Sequence, residues 1–178
     1  MYMKNILLFS ACLLLGACSP RIPFTQQIRD EYQLTADELK GIQFYLSDQV
    51  KLKKGEVASN RKSMEDGKLV IVSGKDINVI TFRLFTPGAV DQVVDAQTLR
   101  VAFEEGPERT LVFSSSKIRS GYYHLSALDW DNGLGKINYG GQTWFSSRGS
   151  DKAILLFKMK SIRKLRVNEK VVKGRKLN

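Results

Sequence analysis

The sequence predicts a mainly β fold, a compact antiparallel β-sandwich or small β-barrel with one or two helices at its N-terminal end. Three observations lead there. Apolar residues early in the chain recur at helical spacing. Beyond residue 44 they gather in short β-branched and aromatic runs, and Gly, Pro, Asp and Ser separate those runs.

Taken in order, FTQQIRDEYQLTADELKGIQFYL places Phe24, Ile28 and Tyr32, then Leu39, Ile42 and Leu46, at three- and four-residue steps. That is the period of a helix. Thr35 followed by Glu38 is a capping-box pattern that opens a second short helix. An extended segment is expected between Phe44 and Leu52. Residues 68–72, 78–85, 99–103, 110–113, 122–125, 136–139, 142–145 and 153–159 read as strands. Residues 91–99 read as a further helical turn. Tyr139-Gly140-Gly141-Gln142 reads as a tight hairpin, because paired glycines accept the positive φ such turns need. Asp131-Asn132-Gly133 marks a second turn. The pattern does not separate sandwich from barrel.

The N-terminus has a different character. Lys4 precedes a ten-residue apolar run, 6–15. A membrane span needs roughly 20 such residues, whereas ten suit the hydrophobic core of a secretory signal. The run ends in Leu15-Gly16-Ala17-Cys18. An aliphatic residue, two small residues and a cysteine in this position resemble the lipobox of bacterial lipoproteins. The resemblance implies cleavage before Cys18, a diacylglycerol thioether on its sulfur and a further acyl chain on its new amine. Residues 1–17 are then a signal peptide, 18–24 a lipidated tether and 25–178 one β-rich domain. Cys12 leaves with the signal and Cys18 is alkylated, so the mature chain keeps no thiol for catalysis, metal binding or a disulfide. Two or more acyl chains hold a protein stably on a membrane. Seven tether residues reach at most about 24 Å, and Pro20 and Pro23 stiffen them. Ser19, in place of the aspartate linked to inner-membrane retention, points to the periplasmic face of the outer membrane.

The formal charge is +10, and it is concentrated at one end. Residues 158–178 hold nine basic residues, namely Lys158, Lys160, Arg163, Lys164, Arg166, Lys170, Lys173, Arg175 and Lys176, against one acid. Such a tail suggests nucleic acid in a cytosolic protein. The secretory address argues against that and leaves lipid head groups, an anionic glycan or an acidic protein surface. Leu165 and Val167 alternate with Lys164 and Arg166, which reads as a half-buried strand with one basic face. Lysines also protect exposed edge strands, which is the structural account of the same run.

Catalytic patterns are sparse. His124, the single histidine, sits among aromatics in a strand-like run, and no nucleophile elbow surrounds Ser114, Ser115 or Ser116. Asp129-Trp130-Asp131-Asn132-Gly133 begins like a calcium loop but places Gly133 at a ligand position, so a turn describes it better. Glu104-Glu105 beside Gly106-Pro107 also reads as a turn. Trp130, in a polar context, is the candidate stacking aromatic, whereas Trp144 reads as core. No catalytic site, metal or cofactor is expected. The expectation is a non-enzymatic accessory subunit of an outer-membrane-associated assembly, held by lipid through acylated Cys18 and bound to a membrane-associated protein. The alternative is a periplasmic binding module for an anionic glycan such as peptidoglycan or lipopolysaccharide.

Overall fold

A computed structural model describes residues 20–54, 64–65, 68–69 and 79–167. The run read as a signal peptide, Cys18, residues 70–72 of the strand expected at 68–72, and the basic residues Lys170, Lys173, Arg175 and Lys176 lie outside the described residues. The protein is mostly β, with two antiparallel sheets, few helices and a sandwich-like arrangement. In chain order come β1 (Arg21–Pro23), α1 (Gln26–Glu31), α2 (Ala36–Lys40), β2 (Gln43–Leu46), β3 (Val50–Lys53), β4 (Met64–Glu65) and β5 (Lys68–Leu69). They are followed by β6 (Val79–Phe82), β7 (Pro87–Val93), β8 (Thr98–Ala102), β9 (Thr110–Ser115), β10 (Tyr123–Ser126) and β11 (Asp129–Asp131). The last are β12 (Leu134–Tyr139), β13 (Gln142–Ser146), β14 (Leu155–Lys158) and α3 (Met159–Val167).

The first sheet has the order β1-β14-β2-β7-β8-β9-β10 and the second β11-β12-β13-β3-β6, while β4 and β5 pair with each other. The first sheet rolls back on itself. Strand β10 meets its opposite edge through the bridges Thr25↔Tyr122 and His124↔Ile154. Leu125 N donates to Ala153 O and Gln26 N to Gly121 O, both at 2.8 Å. Closure of this kind satisfies backbone groups that an open edge strand would expose. The sandwich and barrel expectations therefore meet in one fold, a sheet rolled towards a barrel with a second sheet packed beside it.

Alternation drives the packing. In β9, Leu111 and Phe113 point inward, and in β14 Leu155 and Phe157 do the same, all fully buried. Phe24 sits among Phe44, Tyr123 and Phe157, with ring centroids 5.0 to 5.4 Å away. The two sheets share the core through Phe82, whose ring meets Phe103 at 5.7 Å and Tyr139 at 5.5 Å. Both glycine turns form as the sequence indicates. Gly140 and Gly141 take φ of +58° and +69° between paired Tyr139 and Gln142, and Asn132 and Gly133 take +48° and +79° between β11 and β12.

The helix starts also follow the sequence. Thr35 and Glu38 make a complete capping box, and Thr25 caps α1 by accepting from Ile28 N. Three local expectations do not hold. Residues 91–99 do not make a helical turn: β7 runs to Val93, then a short turn enters β8. A register shift between Val90 and Gln92 breaks the two-residue alternation there, which hides the strand. Leu165 and Val167 belong to helix α3 and not to a strand. Met159, Ile162 and Leu165 pack inward at three-residue spacing, and the shorter Leu165–Val167 alternation masks it. Finally, Arg21–Pro23, within the stretch read as tether, is a strand paired with β14.

Candidate functional site

Strand β1 begins at Arg21. It pairs Arg21 with Lys158, Ile22 with Phe157 and Pro23 with Leu156. Inward-facing Phe157 sends Lys158 to the outer face, where Arg21 also lies. The Arg21 guanidinium carbon is 4.4 Å from the Tyr45 ring centroid and 4.6 Å from that of Phe85, and Lys158 Nζ is 6.0 Å from Tyr45. Cations over aromatic faces are attracted by the ring quadrupole. Arg21, three residues after Cys18 in the sequence, therefore lies in a patch of stacked cations and aromatics.

The basic residues divide by element. Lys158 ends β14 and is half-buried. Lys160, Arg163 and Lys164 are exposed on α3, at the three- and four-residue spacings that place them on one helix face. Ile162, 1% exposed, anchors the opposite face with help from Leu165. Leu165 lies so close to Gly41 that a β-carbon there would stand 3.1 Å from its Cδ2. Arg166 belongs to the same helix.

Trp130 lies on β11, half-buried, with its ring over the backbone of its pair partner Gly135, and it packs against the core. Its ring thus has one face covered by protein. Asp129 and Asp131 flank it on an exposed strand whose turn closes through Asn132 Nδ2 donating to Asp131 Oδ1 at 2.9 Å. Glu104 accepts from Tyr139 Oη at 2.6 Å and from Arg109 Nη1 at 3.4 Å. Burial and the adjacent carboxylate push the Tyr139 phenol well above its ordinary pKa. Among the described residues no three His, Cys, Asp or Glu side chains come together in a way that could hold a metal ion.

His124 faces the seam between β10 and β14. Its Nδ1 is buried and has no hydrogen-bond partner among the described residues. Burial, and then the positive charge of Arg119, lower its pKa below the ordinary imidazole value. Arg119 is itself paired with Asp151 at 3.4 Å. Burial and the Arg119 charge thus favour the neutral form of the ring at this seam, while the backbone at Asp151 and Arg119 opposes them.

Two further features have no signature in the sequence. One is a polar clip that ties α1 to the barrel. Gln26 Oε1 accepts from Ser115 Oγ at 2.8 Å and Tyr123 Oη at 2.7 Å, while Arg29 Nη1 donates to Tyr123 Oη at 3.0 Å and to Ala96 O at 2.7 Å. The other is a crevice of about 270 Å³ between the β8–β10 wall and β12, lined by Arg100, Glu108, Val112, Ser126, Leu128 and Asn138. No described helix is long and apolar enough to cross a membrane. Comparison with protein-family models, with curated proteins and with solved structures finds no match to this chain.

Proposed function

We propose that the protein is a lipid-anchored lipoprotein of the bacterial envelope, probing no substrate of its own and serving as an accessory subunit of an assembly at the outer membrane, on its periplasmic side. The observation that supports this reading is the run ending in Leu15-Gly16-Ala17-Cys18, set three residues before the first strand at Arg21. Three residues span at most about 11 Å. An acylated Cys18 therefore keeps the barrel against its bilayer, where a membrane-associated protein is the partner within reach.

The decisive experiment has two parts. Intact mass of the mature protein from membranes should give residues 18–178 plus acyl groups, and Cys18→Ser should move the protein to the soluble fraction. Gentle detergent extraction should then bring down a stoichiometric membrane protein. An unmodified mass and unchanged fractionation of Cys18→Ser would falsify the anchor.

The exposed row Lys160, Arg163 and Lys164 favours a second reading, a binding module for an anionic glycan. Under that reading the protein sediments with purified sacculi in a salt-sensitive way. Lys160→Glu with Lys164→Glu abolishes the sedimentation.

A further inference from the structure

The outer face of β1, β14 and β2 carries a feature that the fold does not require. The turn between β6 and β7 holds Phe85 at φ +61°, the left-handed region that bulky side chains avoid. Glycine would sit there without strain. The turn is nevertheless firmly held: Phe85 N donates to Leu46 O at 2.9 Å, and Thr86 Oγ1 donates to Arg83 O at 2.7 Å. The result is a pair of large apolar side chains in water, Leu84 at 51% and Phe85 at 43% exposure. Beside them Arg21 lies over both Tyr45 and Phe85, and Lys158 follows in register. Local strain that presents an exposed side chain points to a use for that side chain.

We infer that this face lies on the membrane, with the Leu84–Phe85 turn at the boundary of the apolar layer and Arg21 and Lys158 on anionic lipid head groups. The inference rests on the lipid-anchor reading and adds an orientation to it. Cys18 is three residues from Arg21, about 11 Å of chain at most. Whatever surface holds Cys18 must therefore come close to the stacked patch. The patch has the chemistry of such a boundary, since aromatic rings and arginine stems keep an apolar body and a polar tip. Charge complementarity extends it. Helix α3 starts one residue after Lys158 and carries Lys160, Arg163 and Lys164, cations that an anionic bilayer attracts within a Debye length.

The acylated mature chain offers no free thiol, so Leu84→Cys and, separately, Leu128→Cys each introduce a unique labelling site. Leu128, 67% exposed between β10 and β11, is the control. The acylated full chain is purified from membranes, labelled with a fluorophore and reconstituted into phosphatidylcholine vesicles with nitroxide lipids, with or without phosphatidylglycerol. The label at residue 84 should be quenched several-fold more than that at 128. Phosphatidylglycerol should deepen the difference, and Arg21→Gln with Lys158→Gln should remove that gain. Equal quenching of the two labels on vesicle-bound, acylated protein overturns the orientation and leaves the anchor standing. Protein that carries no acyl mass and fails to float with vesicles overturns the anchor reading, and the orientation with it. Shielding of residue 84 by lipid-free sacculi, without quenching in vesicles, overturns the inference in favour of a glycan.

Discussion

At Gly135 the chain has room for a hydrogen and little else. A β-carbon there would stand 2.7 Å from Trp130 Cζ3 and 2.8 Å from the Ala127 β-carbon, and Gly135 N already donates to Ser146 Oγ at 2.8 Å. Gly135→Ala must therefore push the indole off the strand, an overpacking cost of about 1–3 kcal/mol. Thermal unfolding should shift down accordingly, and the near-UV dichroism of Trp130 should change with it. His124 yields a pH prediction whose sign is fixed by its environment. Burial lowers its pKa in the folded chain below 6.5. The unfolded chain then binds the extra proton first, so this contribution to stability is complete above about pH 6.5 and is lost as pH falls towards the folded value. Urea midpoints measured across that range should fall less steeply for His124→Gln than for the parent, and parallel slopes would contradict the assignment. Sequence alone places His124 beside aromatics but says nothing of Nδ1, because the burying segment, residues 150–154, is remote in the chain. The stacked patch was equally illegible. Residues 21, 45 and 85 meet only through the pairing of three strands. Cys18 lies outside the described residues, and the proposal for it rests on a local sequence pattern alone.

At the scale of elements, legibility follows how local the determining contacts are. The Thr35–Glu38 capping box is a four-residue signal, and it forms as written, with Thr35 N donating to Glu38 Oε2 at 2.8 Å and Glu38 N to Thr35 Oγ1 at 3.3 Å. Thr35→Ala should cost about 0.5–2 kcal/mol, read as a lower urea midpoint with an unchanged slope. The glycine hairpins are local in the same sense. Strand β7 and helix α3 are not. A bulge interrupts the alternation of β7, and the apolar spacing of α3 gains its meaning only from Gly41 and the core against which Met159, Ile162 and Leu165 pack. Strand β1 is the extreme case. Its three residues include a proline and carry no strand signature, and they become a strand because β14 presents an edge to them. The basic face of α3 thus differs from the half-buried strand that its sequence suggests: a helix spaces its cations over one turn and not along a strand.

The whole molecule turns on how the sheet closes. Phe24 joins β1 to α1 exactly where β10 returns to the starting edge, donating its N to Leu155 O at 2.8 Å and accepting from Tyr123 N at 3.4 Å. Its ring is fully buried against Phe44, Tyr123 and Phe157. One residue therefore plugs the barrel and seals its seam, six positions after the proposed lipid attachment. Under the proposed anchoring, any pull on Cys18 would reach this seam through β1. Phe24→Ala removes the plug and should cost about 3–5 kcal/mol, a large share of the roughly 5–15 kcal/mol that domains of this kind have in total. Leu84→Ala, on the exposed turn, should stay within about 0.5 kcal/mol. Equilibrium urea unfolding of both variants checks the contrast. If Phe24→Ala unfolds like Leu84→Ala, the seam is not a determinant of the fold, and β1 would be free to peel from a barrel that is stable without it.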